Sequence, residues 1–354
     1  MANLLDGMDK VYSKLVPELG RADMPVENKA TCLTCAMAPK PGADPEKPVA
    51  FTARARCCTY NPLLTNHVVG RILRRNDRGA ALMRARIEQG GGLSANGVGP
   101  TAEWNDHYRK QASVLFGRSD ELRCPYWADE PHACTIWRDR NAVCRTWFCK
   151  HEEGGRGRSL WMEAHDAIDR IDKTVAVYCV TLGDPPSEHA RPGQWVGWYR
   201  WCAERVDLFD AYDLERVRTR EVLEAVERLE KVVTRRGPLP EVVVPSLLEW
   251  YPRDGAMLAT GYSAYDMDAL PADLFVLLAR LDGKRPWREA LGSEPGLDEA
   301  LVQRMWARGM LAEPDEAFRE GSTAVAFRDG PWSGVPEFQE QILTSLTASF
   351  SPKD

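Results

Sequence analysis

Residues 123–149 read RCPYWADEPHACTIWRDRNAVCRTWFC and place Cys124, Cys134, Cys144 and Cys149 among Trp127, Trp137, Trp147 and Phe148. The spacing is too wide for a zinc-knuckle repeat, yet regular enough for loops to bring the four sulfurs together. Aromatic neighbours would limit solvent access to such a group and protect an oxidisable cluster. An irregular, cysteine-rich metal-binding region is the expectation here, and the rest of the chain is read outward from it.

Upstream, Cys32-Leu33-Thr34-Cys35 forms a C-x-x-C pair. Two intervening residues let a turn carry both sulfurs to one metal, at about 2.3 Å for zinc, while amides donate to the thiolates. Zinc sites, iron–sulfur ligands and thioredoxin-like dithiols share this spacing, but the last needs a βαβ context. The proline-rich linker at 36–50 does not provide it. Cys57 and Cys58 are adjacent, and extended backbone would point them to opposite faces. Such geometry sends the sulfurs to different metals, or one to metal and one into packing.

Eight of the ten cysteines fall within the 118 residues from 32 to 149, so one region holds the shared task. The other two, Cys179 and Cys202, lie in apolar helix stripes and are expected in the core. His132 and His151, near Cys134 and Cys149, are expected to be solvated rather than ligating.

The 354 residues are 44% hydrophobic and 28% charged, the balance of a soluble globular chain of more than one domain. The best apolar run, 274–278, falls far short of the roughly 18 residues of a membrane span. The opening MANLLDGMDKVY lacks the basic and apolar regions of a signal peptide. A cytoplasmic protein with reduced thiols follows, which favours metal or redox chemistry over disulfides. Charge is divided: 22 basic against 16 acidic residues up to position 150, then 24 against 36.

The expected architecture is mainly α, with the cysteine-rich region and a small C-terminal α+β domain. Hydrophobic periodicity predicts helices over 4–19, 62–89, 101–116, 159–182, 193–209 and 214–235. Gly90 caps the second of these, and 90–100 reads as loop. Trp195, Trp198 and Trp201 share a helix face and are expected in the core, as a seam toward the metal region. Strands are expected at 241–249, 256–262 and 323–328, and helices at 271–281 and 298–308. The division is 1–150 for metal binding, 151–236 helical, 241–330 winged-helix-like and 331–354 tail, with Gly237-Pro238-Leu239-Pro240 as boundary.

Eight arginines, Arg54, Arg56, Arg71, Arg74, Arg75, Arg78, Arg84 and Arg86, crowd one stretch, four of them (71, 74, 75, 78) on one expected helix face. No stacking aromatics are interleaved, which argues against nucleic acid as a partner. Gly97-Val98-Gly99-Pro100-Thr101-Ala102 fits GxGxx[GA], but no strand precedes it and Pro100 lacks the amide a phosphate would need. The common hydrolase and nucleotide motifs are absent.

The segments TCLTC (31–35), RCC (56–58) and RCPYW…ACTIWRDRNAVCRTWFC resemble the YkgJ-type cysteine-cluster family, a zinc- or iron-chelating domain with a CxxCxxCC-like signature. That family has an RPxxCR turn after a later cysteine and an aromatic. Here Cys134-Thr135-Ile136-Trp137 leads to Arg140-Asn141 and Cys144-Arg145. The likeness covers about a third of the chain. It departs at the 21 residues between Cys35 and Cys57 and at Asn141 in place of proline. The resemblance implies a bound metal, an iron–sulfur cluster such as 4Fe–4S ahead of zinc. Flagellin lysine methylases carry a similar cluster, but nothing else here matches methyl transfer.

Residues 261–292 and 301–313 resemble PqqD-like and winged-helix domains through Leu274, Leu277, Leu278, Leu281, Trp287, Leu291 and Gly309. The span 241–320 has eight basic and fifteen acidic residues, which suits peptide capture better than DNA.

The expectation is an iron–sulfur protein in electron transfer or in support of a redox or modifying enzyme. Cys32, Cys35, Cys57, Cys58, Cys124, Cys134, Cys144 and Cys149 form the ligand pool, with Arg140 and Arg145 stabilising thiolates. The alternatives are a structural zinc protein acting as a peptide- or protein-binding adaptor, and a metal-sensing regulator touching nucleic acid.

Overall fold

A computed structural model describes residues 2–3, 8, 10–21, 23–28, 35–39, 42, 50–130, 132–234, 237–246, 249–253, 256–260, 262–263, 265–271, 274, 278, 280–292 and 299–314. The chain is mainly helical with short antiparallel strands. It falls into two compact units that are not consecutive blocks. The first comprises Met1–Met24, Phe51–Trp147 and Trp161–Val233; the second comprises Pro25–Ala50, Phe148–Leu160 and Thr234–Asp354.

In the first unit, β1 (Ala2–Asn3) pairs with β2 (Asp23–Met24) across α1 (Lys10–Leu15) and a 3₁₀ turn at Pro17–Arg21. The helix expected over 4–19 is thus shorter and ends in a tighter turn. After β3 (Leu64–Thr65), the single helix expected over 62–89 is two: α2 (Asn66–Arg74) and α3 (Arg78–Gln89). Asp77 makes the break, since its carboxylate accepts from Ala80 N at 2.9 Å and so caps α3. At the other end Gly90 takes the left-handed conformation, φ 76°, as a C-cap.

The stretch expected as loop at 90–100 is a hairpin, β4 (Leu93–Ser94) and β5 (Gly97–Val98), with β5 also pairing β3. Next come α4 (Ala102–Leu115), capped by Thr101, the bridge of β6 (Trp127–Ala128) to β7 (Ala133–Cys134), and α5 (Ala142–Thr146).

Leu160, Ala164, Ala167, Ile168, Ile171, Val175 and Cys179 form the buried stripe of α6 (Gly154–Leu182). The spacing is the three-and-four rhythm of one helix face. Three more helices follow: α7 (Pro192–Asp207), α8 (Ala211–Val217) and α9 (Arg220–Thr234). The last two replace one expected helix: Asp210 and Asp213 form a capping box for α8, and Thr219 starts α9 afresh by accepting from Val222 N at 3.4 Å.

The centre of this unit is α2 against α7. A Cβ at Gly70 would lie 1.9 Å from the Tyr199 carbonyl oxygen, so only glycine allows this approach. Trp195 and Trp198 are buried as expected, and Trp198 Nε1 donates to Ala95 O at 2.9 Å. Tyr199 Oη reaches Ser94 O at 2.9 Å, so α7 also holds the β4–β5 hairpin. Cys179 and Cys202 are fully buried between α6 and α7, with Cys179 Sγ 4.0 Å from Cys202 O.

The shared helix face expected for Arg71, Arg74, Arg75 and Arg78 does not exist, because α2 ends at Arg74. Arg71 meets Asp139 at 3.0 Å, and Arg75 meets the same carboxylate. Arg74 pairs with Asp207 at 2.6 Å, while Arg78 donates to Glu130 O at 2.9 Å.

The second unit has a three-stranded antiparallel meander of β9 (Glu249–Arg253), β10 (Ala256–Thr260) and β11 (Asp268–Pro271). A two-stranded pair joins β8 (Val244–Pro245) to β12 (Leu311–Ala312). Helices α10 (Trp287–Leu291) and α11 (Glu299–Ala307) bring Trp287, Leu291, Val302, Met305 and Trp306 into a core with Leu270, Leu274 and Leu278. The strand expected at 323–328 and most of the linker at 36–50 lie outside the described residues.

Candidate metal centre

Three segments of the first unit carry five of the cysteines. The first is a tight turn: Thr52 O accepts from Arg56 N at 3.0 Å, and Ala55 O accepts from Cys58 N at 3.1 Å. Arg56 has a positive φ of 49°, an uncommon conformation for a side-chain-bearing residue. The turn overturns the extended geometry expected at Cys57-Cys58. The side chains of Cys57 and Cys58 interact within this turn.

The second segment is tied to the first by Cys124 N, which donates to Cys58 O at 2.7 Å. Cys124 O then accepts from Trp127 N at 3.0 Å, and this turn leads into β6. In the β6–β7 bridge Trp127 faces Cys134. Trp127 Nε1 is buried without a hydrogen-bond partner among the described residues.

The third segment is α5, where Asn141 caps the helix by accepting from Cys144 N at 3.0 Å. Arg140 donates to Cys144 O at 2.8 Å and to Trp137 O at 3.1 Å, and its guanidinium stacks 3.5 Å from the Trp137 ring centre. Arg145 donates to Arg140 O at 2.8 Å and also to Arg138 O. Both arginines therefore hold backbone carbonyls of this loop, a structural task beyond the charge expected of them.

The electrostatics show that these thiols interact. The Cys58 side chain, then burial, push the Cys57 thiol well up from its ordinary range; the Arg140 charge works the other way. Burial pushes the Cys124 thiol up strongly, with further repulsion from Cys144 and Cys134. Tyr60, raised mainly by burial, also feels Cys144 and Cys124. Cys124, Cys134 and Cys144 thus neighbour one another, and Cys57 neighbours Cys58.

The donor chemistry suits a thiolate-binding metal. Among the described residues, no three Cys, His, Asp or Glu side chains stand close enough to chelate an ion as they are placed. Loading would need the sulfurs to draw together, and the raised thiol pKa values mean that protons must leave as metal enters. There is no disulfide among the described residues.

Of the remaining candidates, Cys35 and Cys149 belong to the second unit and Cys32 lies outside the described residues. His132 is exposed as expected. His151 is not solvated: it is buried in the second unit, with Nδ1 3.5 Å from Glu27 Oε1. Its amide meets Tyr262 Oη at 3.0 Å, and Arg308 donates to its carbonyl at 3.1 Å. Arg308 also pairs with Asp266 at 3.0 Å and with Asp268 at 2.7 Å. Sequence reading missed this network because its members lie far apart in the chain.

A second buried network went unseen in the first unit. Tyr12 donates to Asp172, and His67 Nε2 lies 3.7 Å from the same carboxylate. Neither ring nitrogen of His67 has a hydrogen-bond partner among the described residues.

No protein family, curated protein or solved structure matches this chain.

Proposed function

We propose that this chain is a thiolate metalloprotein whose cysteine group binds an iron–sulfur cluster, for electron transfer or in support of a redox or modifying enzyme. The observation that supports the reading is the 2.7 Å main-chain bond that ties Cys124 to Cys58, with Cys134 and Cys144 as electrostatic neighbours of Cys124. The ligands are drawn from Cys57, Cys58, Cys124, Cys134 and Cys144. When bound, the cluster would supply a one-electron couple. The chain's residues would hold it, with Trp127 and Tyr126 walling the site and Arg140 placing positive charge near Cys57. No helix among the described residues is long and apolar enough to cross a membrane. Residues 241–330 are read as winged-helix-like and as the part that takes a peptide or protein partner; the strands and helices around one core among their described residues support this reading.

The test is anaerobic purification followed by iron, sulfide and zinc analysis and a visible spectrum. Iron with acid-labile sulfide, lost in Cys124→Ser and Cys134→Ser, is the expected result. Stoichiometric zinc in a colourless protein would establish the structural zinc adaptor instead. Binding of neither metal, together with full alkylation of the thiols in the folded protein, would end both readings.

A further inference from the structure

We propose that Arg84 and Arg200 form a binding site for a phosphate dianion. Arg84 is carried by α3 and Arg200 by α7, two helices that pack on α2 and on each other. Both side chains reach the last turn of α2. There Leu73 O accepts from Arg84 Nη2 at 3.0 Å and from Arg200 Nη2 at 3.1 Å. Two guanidiniums that share one oxygen stand side by side, although their like charges repel.

No carboxylate answers that repulsion. Among the described residues neither arginine forms an ion pair, whereas Arg71, Arg74 and Arg75, at the same end of α2, are each paired with an aspartate. Glu88 and Glu204 lie one helical turn beyond Arg84 and Arg200, the usual spacing for a helical ion pair, and pair with neither. Both arginines are half-buried, and Arg200 Nε is buried with no acceptor among the described residues. A buried donor left without an acceptor marks a guanidinium that the protein alone does not satisfy. The outer nitrogens, Nη1 of both residues and Nε of Arg84, are not buried and also have no protein acceptor among the described residues. The end of the α2 dipole offers roughly half a negative charge against two full positive ones, so positive charge is left over.

Charge and shape select the ligand. A phosphate dianion matches two cations, and its oxygens accept the paired N–H groups of a guanidinium fork. A carboxylate carries one charge and leaves the second arginine uncompensated. A nucleic-acid backbone fits less well, because Arg71, Arg74 and Arg75, which would have to follow successive phosphates, are held by Asp139 and Asp207. Phosphate binding here requires no metal at the cysteines.

The experiment titrates the full-length protein with inorganic phosphate, sulfate and acetate by calorimetry, for the wild type, Arg84→Gln, Arg200→Gln and Arg109→Gln. Arg109 is exposed and already paired with Asp106, so its variant reports the loss of a charge elsewhere. Saturable binding of phosphate and sulfate is expected, with acetate weaker. Phosphate affinity should fall about tenfold or more in Arg84→Gln and in Arg200→Gln, and stay unchanged in Arg109→Gln. A second measurement needs no variant. The wild type is treated with phenylglyoxal, an arginine-selective reagent, and the modified residues are mapped by mass spectrometry; phosphate should shield Arg84 and Arg200 while Arg109 reacts as before. Absence of saturation in the wild type, acetate binding as tightly as phosphate, an equal loss in Arg109→Gln, or no shielding would overturn the proposal. A single-stranded oligonucleotide that displaces the phosphate and loses affinity in the same two variants would overturn it too.

Discussion

Cys58 and Cys124, from distant parts of the sequence, are joined main chain to main chain by the 2.7 Å bond from the Cys124 amide to the Cys58 carbonyl. The bond belongs to the backbone, so it survives a change at either sulfur. Cys124→Ser should therefore keep its far-UV circular dichroism and lose no more than roughly 1 kcal/mol of stability, while its metal content falls. A Cys124→Ser protein that unfolds would show that the sulfur itself holds the segments together.

Asp139 is buried and accepts from both Arg71 and Arg75. Removing it leaves two guanidiniums facing a site that water reaches poorly. Asp139→Ala is expected to cost about 3 kcal/mol in urea unfolding, and Asp139→Asn less. A loss below about 1 kcal/mol would mean that the pair behaves like a surface bridge.

Gly70 has no room for a methyl group, because the Tyr199 carbonyl occupies that place. Gly70→Ala must push α7 from α2, and overpacking of this kind costs about 1–3 kcal/mol or more. The expected readout is a lowered thermal midpoint with Trp198 fluorescence shifted toward the exposed range. An unchanged midpoint would show that the two helices slide apart freely.

Asp77 caps α3 through Ala80 N. Asp77→Ala should cost about 1 kcal/mol, and Asp77→Ser or Asp77→Asn should restore most of it. Equal losses in all three would place the effect in the Arg75 contact instead.

Alkaline pH tests the buried phenols. Burial and Asp172 push Tyr12 well above the ordinary value of 10.0. Burial likewise raises Tyr126 and Tyr199. A phenol raised by folding leaves stability unchanged below its unfolded pKa, near 10. Stability then falls as pH climbs from there toward the folded value. Spectrophotometric titration should show these tyrosines ionising only as the chain unfolds; ionisation near pH 10 in the folded protein would contradict the burial.

Local signals in the sequence were legible where one element made them. The stripe of α6 and the Gly90 cap needed only their own neighbours. The break between α2 and α3 was hidden because both helices turn apolar residues to the same core, and one stripe runs through; its signal was Asp77 before Ala80. The strands at 93–98 are two residues each, too short for any period to show. At the site, the clustering of cysteines was visible as spacing. The turn at Cys57-Cys58 and the carbonyls held by Arg140 and Arg145 depend on tertiary neighbours. His151 is the sharpest miss, since Glu27, Tyr262 and Arg308 come from remote positions.

The ion pairs of Arg71, Arg74 and Arg75 also change what the basic first half means in solution. Counted along the chain, these residues promise a strong field; folded, each faces an aspartate within a few ångströms. The field at the surface should therefore follow the arginines that remain exposed, Arg138 among them, and not the total. Unfolding would free each arginine together with its aspartate, so the net charge of −6 would not change while its distribution along the chain would.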